Sequence, residues 1–140
     1  MQQPVDWRWA AATAAFLIHN AEEVIFGLPA WANAHPTAGW VATMMPEQRF
    51  VPAVIGLSIV VLALAVLGTW RPAPWSRQVL RLFAVVMLLN AASHVGLSLW
   101  TASIMPGLWT ALILLLPVMG WIAIRPPARR HAPSTAGHAP

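Results

Sequence analysis

Five side chains in this sequence have the types and the spacing to do chemistry. His19, Glu22 and Glu23 stand at i, i+3 and i+4 inside a stretch that is otherwise apolar. On a helix that spacing places all three on one face. Asn90 and His94, at i and i+4 in a later apolar stretch, share a face in the same way. The whole chain has only four acidic residues, Asp6, Glu22, Glu23 and Glu47, and two of them lie side by side in one apolar segment. A charged group at bilayer depth costs roughly 2.5–3.5 kcal/mol on insertion scales, and as a rule it faces a bundle interior or a water-filled cavity. A chain that keeps two carboxyls and two imidazoles there has a use for them.

Two imidazoles and two carboxyls suit a divalent transition metal such as Zn, Fe or Mn. Three protein ligands and one open position make a catalytic centre, because the bound water is acidified and becomes a nucleophile near neutral pH. His19, Glu22 and His94 are the expected metal ligands. Glu23 is the expected general base or second carboxylate ligand, and Asn90 the catalytic group that orients a ligand or the substrate. The spacing is H-x-x-E rather than the E-x-x-H of di-iron carboxylate bundles, and four candidate ligands are too few for two metals. A blander alternative is that these groups only hydrogen-bond one another and hold helices together. Five polar groups at matched depth on two helices favour function. His35 reads as a loop residue, and His131 and His138 as solvated residues of the C-terminal tail. Met44, Met45, Met87, Met105 and Met119 are scattered and read as apolar filling rather than a copper site.

The elements that must position these residues are membrane helices. The 140-residue chain is 59% hydrophobic and 9% charged, with a mean hydropathy of +0.65, which excludes an ordinary soluble domain. The absence of cysteine excludes disulfides, thiolate metal sites and thiol catalysis. All eight cationic residues are Arg, and they flank apolar segments. The pI of ≈ 11.8 therefore reflects orientation in a membrane, and no nucleic-acid partner is expected.

The expected fold class is all-α, a four-transmembrane-helix bundle in the cell membrane, multi-pass, with both termini cytoplasmic. The expected spans are about 7–28, 50–70, 79–100 and 106–124, each near the ~20 residues that cross ~30 Å of hydrocarbon. Residues 1–125 form the expected transmembrane domain and 126–140 a disordered cytoplasmic tail. Four spans put Arg8, Arg71, Arg77, Arg81, Arg125, Arg129 and Arg130 on one side and only Arg49 on the other, which makes the Arg-rich side cytoplasmic. The polar motif argues against reading the first span as a cleaved signal. The connection from Gly27 to Arg49 is expected to cap the outer face, part helical, with Pro46-Glu47 opening the next helix. Arg71-Pro72-Ala73-Pro74 reads as a tight turn, and Pro52 and Pro117 as helix kinks.

Spans one and three run in the same direction, so depths compare. Trp9 to His19 is ten residues, about 15 Å, and Arg81 to Asn90 is nine, about 14 Å. His94 then falls level with Glu22 and Glu23. The two polar faces are expected to meet in one layer between the midplane and the outer leaflet.

His19-x-x-Glu22-Glu23 in one apolar span, followed by Asn90-x-x-x-His94 in a later one, resembles the HXXEE family of small bacterial and archaeal membrane proteins. That family is named for the first motif and carries an Asn and a His further on. The resemblance extends from about Trp9 to Ile124 and rests on those five positions. It implies an enzyme or a metal site at His19, Glu22, Glu23, Asn90 and His94, and it supplies no reaction.

The expected function is that of an intramembrane metal-dependent enzyme, with hydrolase or isomerase-like chemistry on a lipid-like or small apolar substrate that enters from the bilayer. The alternative is a proton-relay or small-solute transport protein that uses the same cluster without metal. Four short spans leave a monomer little room for transport, so that reading requires a homo-oligomer. The third reading is a helical accessory subunit whose polar layer only fixes packing.

Overall fold

The computed structural model describes residues 6–44, 46–70 and 74–124, and every regular element among them is helical. The helices are α1 (Trp7–Ile25), α2 (Leu28–Ala34), α3 (Gly39–Met44), α4 (Glu47–Trp70), α5 (Pro74–Thr101) and α6 (Leu108–Ile124). Arg71–Ala73 of the expected turn, and the expected tail over 126–140, lie outside the described residues.

Local chemistry sets the ends. The Asp6 carboxylate accepts from Arg8 N–H and caps α1. Gly27, at φ +68, stops α1 in the left-handed region that glycine tolerates, and Pro29 sits in the first turn of α2. α5 closes with Ser103 N–H donating to Ser98 C=O and Ala102 N–H to Leu99 C=O, the paired bonds of a Schellman end. α4 opens at Glu47, as expected, and its first turn carries that acid where the helix dipole favours it. Within α6 the turns from Ala111 to Leu115 widen to π geometry, and Leu116 N–H donates to Ala111 C=O. Pro117 follows at once. It has no N–H for Ile113 and its ring crowds that carbonyl, so the ladder is relieved just before it.

Side-chain contacts show that the four longer helices alternate in direction. At one end the Trp9 indole N–H donates to Ser76 Oγ at 2.9 Å, and Ser76 Oγ donates to Gly68 C=O at 3.3 Å, joining the starts of α1 and α5 to the end of α4. There too Trp7 stacks on Trp121 near the end of α6. Towards the other end, Asn20 Nδ2 of α1 donates to Ser58 Oγ of α4 at 3.4 Å. The core runs between α1, α5 and α6 through Trp9, Phe16, Ala84, Met87, Leu115 and Met119, with one flank of α4 (Val61, Ala65) against it. A smaller cluster of Leu28, Phe50 and Met105 seats α2 on the start of α4 and on the α5–α6 turn. The Trp31 indole N–H, bonded to Ser103 Oγ at 3.0 Å, fixes the same cap. The connection after Gly27, expected to be part helical, contains the two short helices α2 and α3.

α4 and α5 are long and apolar enough to cross a membrane. The sequence led us to expect four such spans. α1 is diluted by its polar residues, and α6 is shorter.

Candidate metal centre

The site is built where α1, α5 and α6 come together. His19 lies one turn before Glu23 on the inward face of α1, and His94 lies on the face of α5 turned towards it. His19 is 0% exposed, His94 1% and Glu23 8%. The Glu23 carboxylate stands between the imidazoles: its Oε1 is 3.3 Å from His19 Nε2 and 3.0 Å from His94 Nε2. The rings meet edge to face, with centroids 4.8 Å apart. One donor atom from each of the three residues lies within 4.8 Å of the others. In a tetrahedral site with bonds of 2.0–2.1 Å the ligand atoms are about 3.3 Å apart, so this spacing suits one small cation.

The hydrogen bonds around His19 fix its tautomer. Thr110 Oγ1 donates to Gly107 C=O at 3.3 Å, so its lone pair accepts from His19 Nδ1–H at 2.9 Å. Nε2 is then the basic nitrogen, and it accepts from the Asn90 amide at 2.9 Å. In that tautomer His19 Nε2 and Glu23 Oε1 face each other at 3.3 Å as two acceptors. A cation held by Nε2 would take the lone pair that now accepts from Asn90, so the amide would have to turn away to admit it. The donor set of two imidazoles and one carboxylate suits Zn, Fe or Mn. Support from Thr110 to the distal nitrogen of His19 is the usual second layer of a metal-bound histidine. His94 has no equivalent among the described residues: its Nδ1 is buried without a hydrogen-bond partner there.

Gly107 makes the room. Its φ is +91, and a Cβ there would lie 2.6 Å from His94 Cε1, 2.9 Å from His19 Cε1 and 3.0 Å from Glu23 Cγ. The α5–α6 turn passes against the rings because this residue has no side chain. Glu22 points elsewhere. Its Oε2 accepts from Thr110 N–H at 2.8 Å, one of the first-turn donors of α6 with no partner inside that helix. Glu22 therefore caps α6 from α1 and holds the residue that holds His19.

The family model described as a protein of unknown function with HXXEE motif matches residues 10–122. The chain belongs to the HXXEE family. No curated protein and no solved structure matches it. The HXXEE motif here is His19 to Glu23, and the structure separates its two acids. The ligand set expected from sequence was His19, Glu22 and His94, with Glu23 as general base or second ligand. In the structure Glu23 is the acid between the imidazoles, and Glu22 lies on Thr110. Neighbouring helical residues point about 100° apart, and the rotation of α1 turns Glu23 inward. Asn90, expected to orient a ligand or the substrate, lies with its Nδ2 on His19 Nε2. Thr110 and Gly107 were not anticipated. The signals for them were a lone hydroxyl in the 106–124 stretch and a glycine following Pro106.

Beside the HXXEE residues lies a cavity of about 350 Å³. Asn20, Glu23, Asn90, Ser93 and His94 are its polar lining, and Phe16, Met87 and residues of α3 and α4 are among the apolar lining. A second cavity, about 240 Å³, adjoins Glu22 near Trp31 and Trp109.

Proposed function

We propose that this protein is a membrane-embedded metal-dependent enzyme whose centre is held by His19, Glu23 and His94. The convergence of His19 Nε2, His94 Nε2 and Glu23 Oε1 carries this reading. Membrane placement is supported by the surface. Only 17% and 22% of the most apolar windows of α4 and α5 is buried, whereas the core helix of a soluble protein would be mostly buried. Ile55, Ile59 and Leu62 of α4 and Leu82 and Leu89 of α5 face outward, as lipid-facing residues do.

His19, Glu23 and His94 would hold a divalent ion, which would supply Lewis acidity there. The chain's own residues do the rest. Thr110 keeps the His19 proton on Nδ1 and so keeps Nε2 turned to the centre. Asn90 presents an amide to the centre and to the cavity, where it orients a ligand or substrate. The cavity wall excludes water from the apolar part of a substrate. Hydrolysis or isomerisation of a lipid-like or small apolar molecule is the chemistry we assign to this arrangement. Multi-pass insertion with cytoplasmic termini is the topology that goes with it.

A string of hydrogen bonds from Thr110 through His19 to Asn90 favours a second reading, proton relay without metal. Elemental analysis of purified protein separates the two. One equivalent of Zn, Fe or Mn, lost in His19→Ala and Glu23→Gln but kept in Glu22→Gln, is expected for the enzyme. Folded protein that takes up none of these ions refutes the metal centre.

A further inference from the structure

The cavity beside the centre is open on one side. α4 packs on α1 and α2, and α5 packs chiefly on α6; α4 and α5 do not pack on each other along their length. The cavity lies in the seam between them. Leu57 of α4 and Val86 of α5 both line it, yet they are 53% and 51% exposed, so the same side chains face the cavity and the surroundings. Those surroundings are the apolar flanks of the two helices most suited to cross a bilayer. Above the seam sits α3, whose Trp40 and Met44 also line the cavity. An occupant therefore enters sideways, from hydrocarbon, and must itself be largely apolar.

Its size and head group follow from the lining. At roughly 30 Å³ for a water-sized group, 350 Å³ holds about a dozen such groups. That is one alkyl chain of moderate length, well short of a two-chain phospholipid. Among the described residues no Arg lines the cavity and the Glu23 carboxylate does, so an anionic head is disfavoured. The Asn90 amide offers a donor and an acceptor to a neutral oxygen-bearing head, and Ser93 Oγ, whose proton goes to Asn90 C=O, offers an acceptor.

We propose that the cavity binds a neutral single-chain amphiphile that enters through the α4–α5 seam and sets its head on Asn90 and Ser93. This names the substrate class of the centre proposed above and rests on that reading only for the reaction, since occupancy of the cavity needs no metal.

The test is photolabelling of the full chain in lipid nanodiscs with dodecanol carrying a diazirine in its tail, with adducts mapped by mass spectrometry. Adducts on Ala53, Leu57 and Val86 that unlabelled dodecanol competes away are expected, while adducts on the outward-facing Leu62 and Val66 persist. Ala53→Trp, which fills the cavity from α4, is expected to lower the competed labelling by about tenfold with the thermal midpoint unchanged. Labelling that is uniform along α4 and does not saturate means contact with bulk lipid and overturns the proposal. Competition by dodecyl phosphate as strong as by dodecanol overturns the neutral head. Metal content is measured on the same samples. Saturable labelling without metal supports the cavity and counts against the centre; stoichiometric metal without saturable labelling does the reverse.

Discussion

Replacing Gly107 with alanine should dismantle the centre and leave the helices standing. The new Cβ would lie 2.6 Å from His94 Cε1 and 2.9 Å from His19 Cε1, where ordinary contact begins at 3.4 Å. The His94 ring must then retreat by about 0.8 Å (3.4 − 2.6) and the His19 ring by about 0.5 Å (3.4 − 2.9). A metal site holds its ligand distances to about ±0.2 Å, so both displacements break it. Alanine at φ +91 adds strain of order 1–3 kcal/mol. Loss of a single outer-shell partner weakens metal binding about 10–100-fold, and moving two ligands should reach at least the upper end of that range. The assay is titration of Gly107→Ala with Zn, Fe and Mn beside the parent protein, together with thermal unfolding in the absence of metal. Gly96→Ala is the control, because a Cβ there meets nothing within 4 Å. Gly107→Ala protein that binds metal with parental affinity would refute the argument that this glycine makes room for the rings.

Other consequences follow from the same contacts. Thr110→Val removes the acceptor of His19 Nδ1–H, and metal affinity should fall about 10–100-fold while Thr110→Ser retains it; equal affinities in all three proteins, by calorimetric titration, would remove the tautomer argument. Gly68→Ala pushes a methyl against the Trp9 indole and to 2.8 Å from Ser76 Oγ. That overpacking should cost about 1–3 kcal/mol, read as a lower unfolding midpoint with the same metal per folded chain. An unchanged midpoint would show that this junction is loose.

Much of the centre was legible because its residues are costly where they sit. His19, Glu23, Asn90 and His94 stand out against apolar neighbours, and helical rise alone brings Asn90 and His94 level with the motif. The choice between Glu22 and Glu23 was not legible. It depends on the rotation of α1 about its axis, and that is set by distant packing such as Trp9 on Ser76 and Phe16 on Phe83. Thr110 and Gly107 were hidden for a different reason. Their residue types are unremarkable in a membrane helix or turn, and only the tertiary meeting of α1 with the α5–α6 turn gives them work. The helical content and the short cap after Gly27 were legible from apolar runs, prolines and glycines. The π turns of α6 were hinted at by Pro117, but a proline alone does not say whether the helix will bend or widen.

The junction of Trp9, Ser76 and Gly68 ties α4 to its neighbours at the end far from the centre. From Gly68 to Leu57 is eleven residues, about 16 Å of helix. α4 is pinned at its other end as well, by Ser58 on Asn20 of α1 and by Phe50 in the cluster with Leu28 and Met105. Held at both ends, it is a braced beam rather than a hinged door. α4 contributes none of His19, Glu23 and His94, but Asn20 adjoins His19, so bending of this wall at Leu57 is transmitted to the backbone that carries the centre.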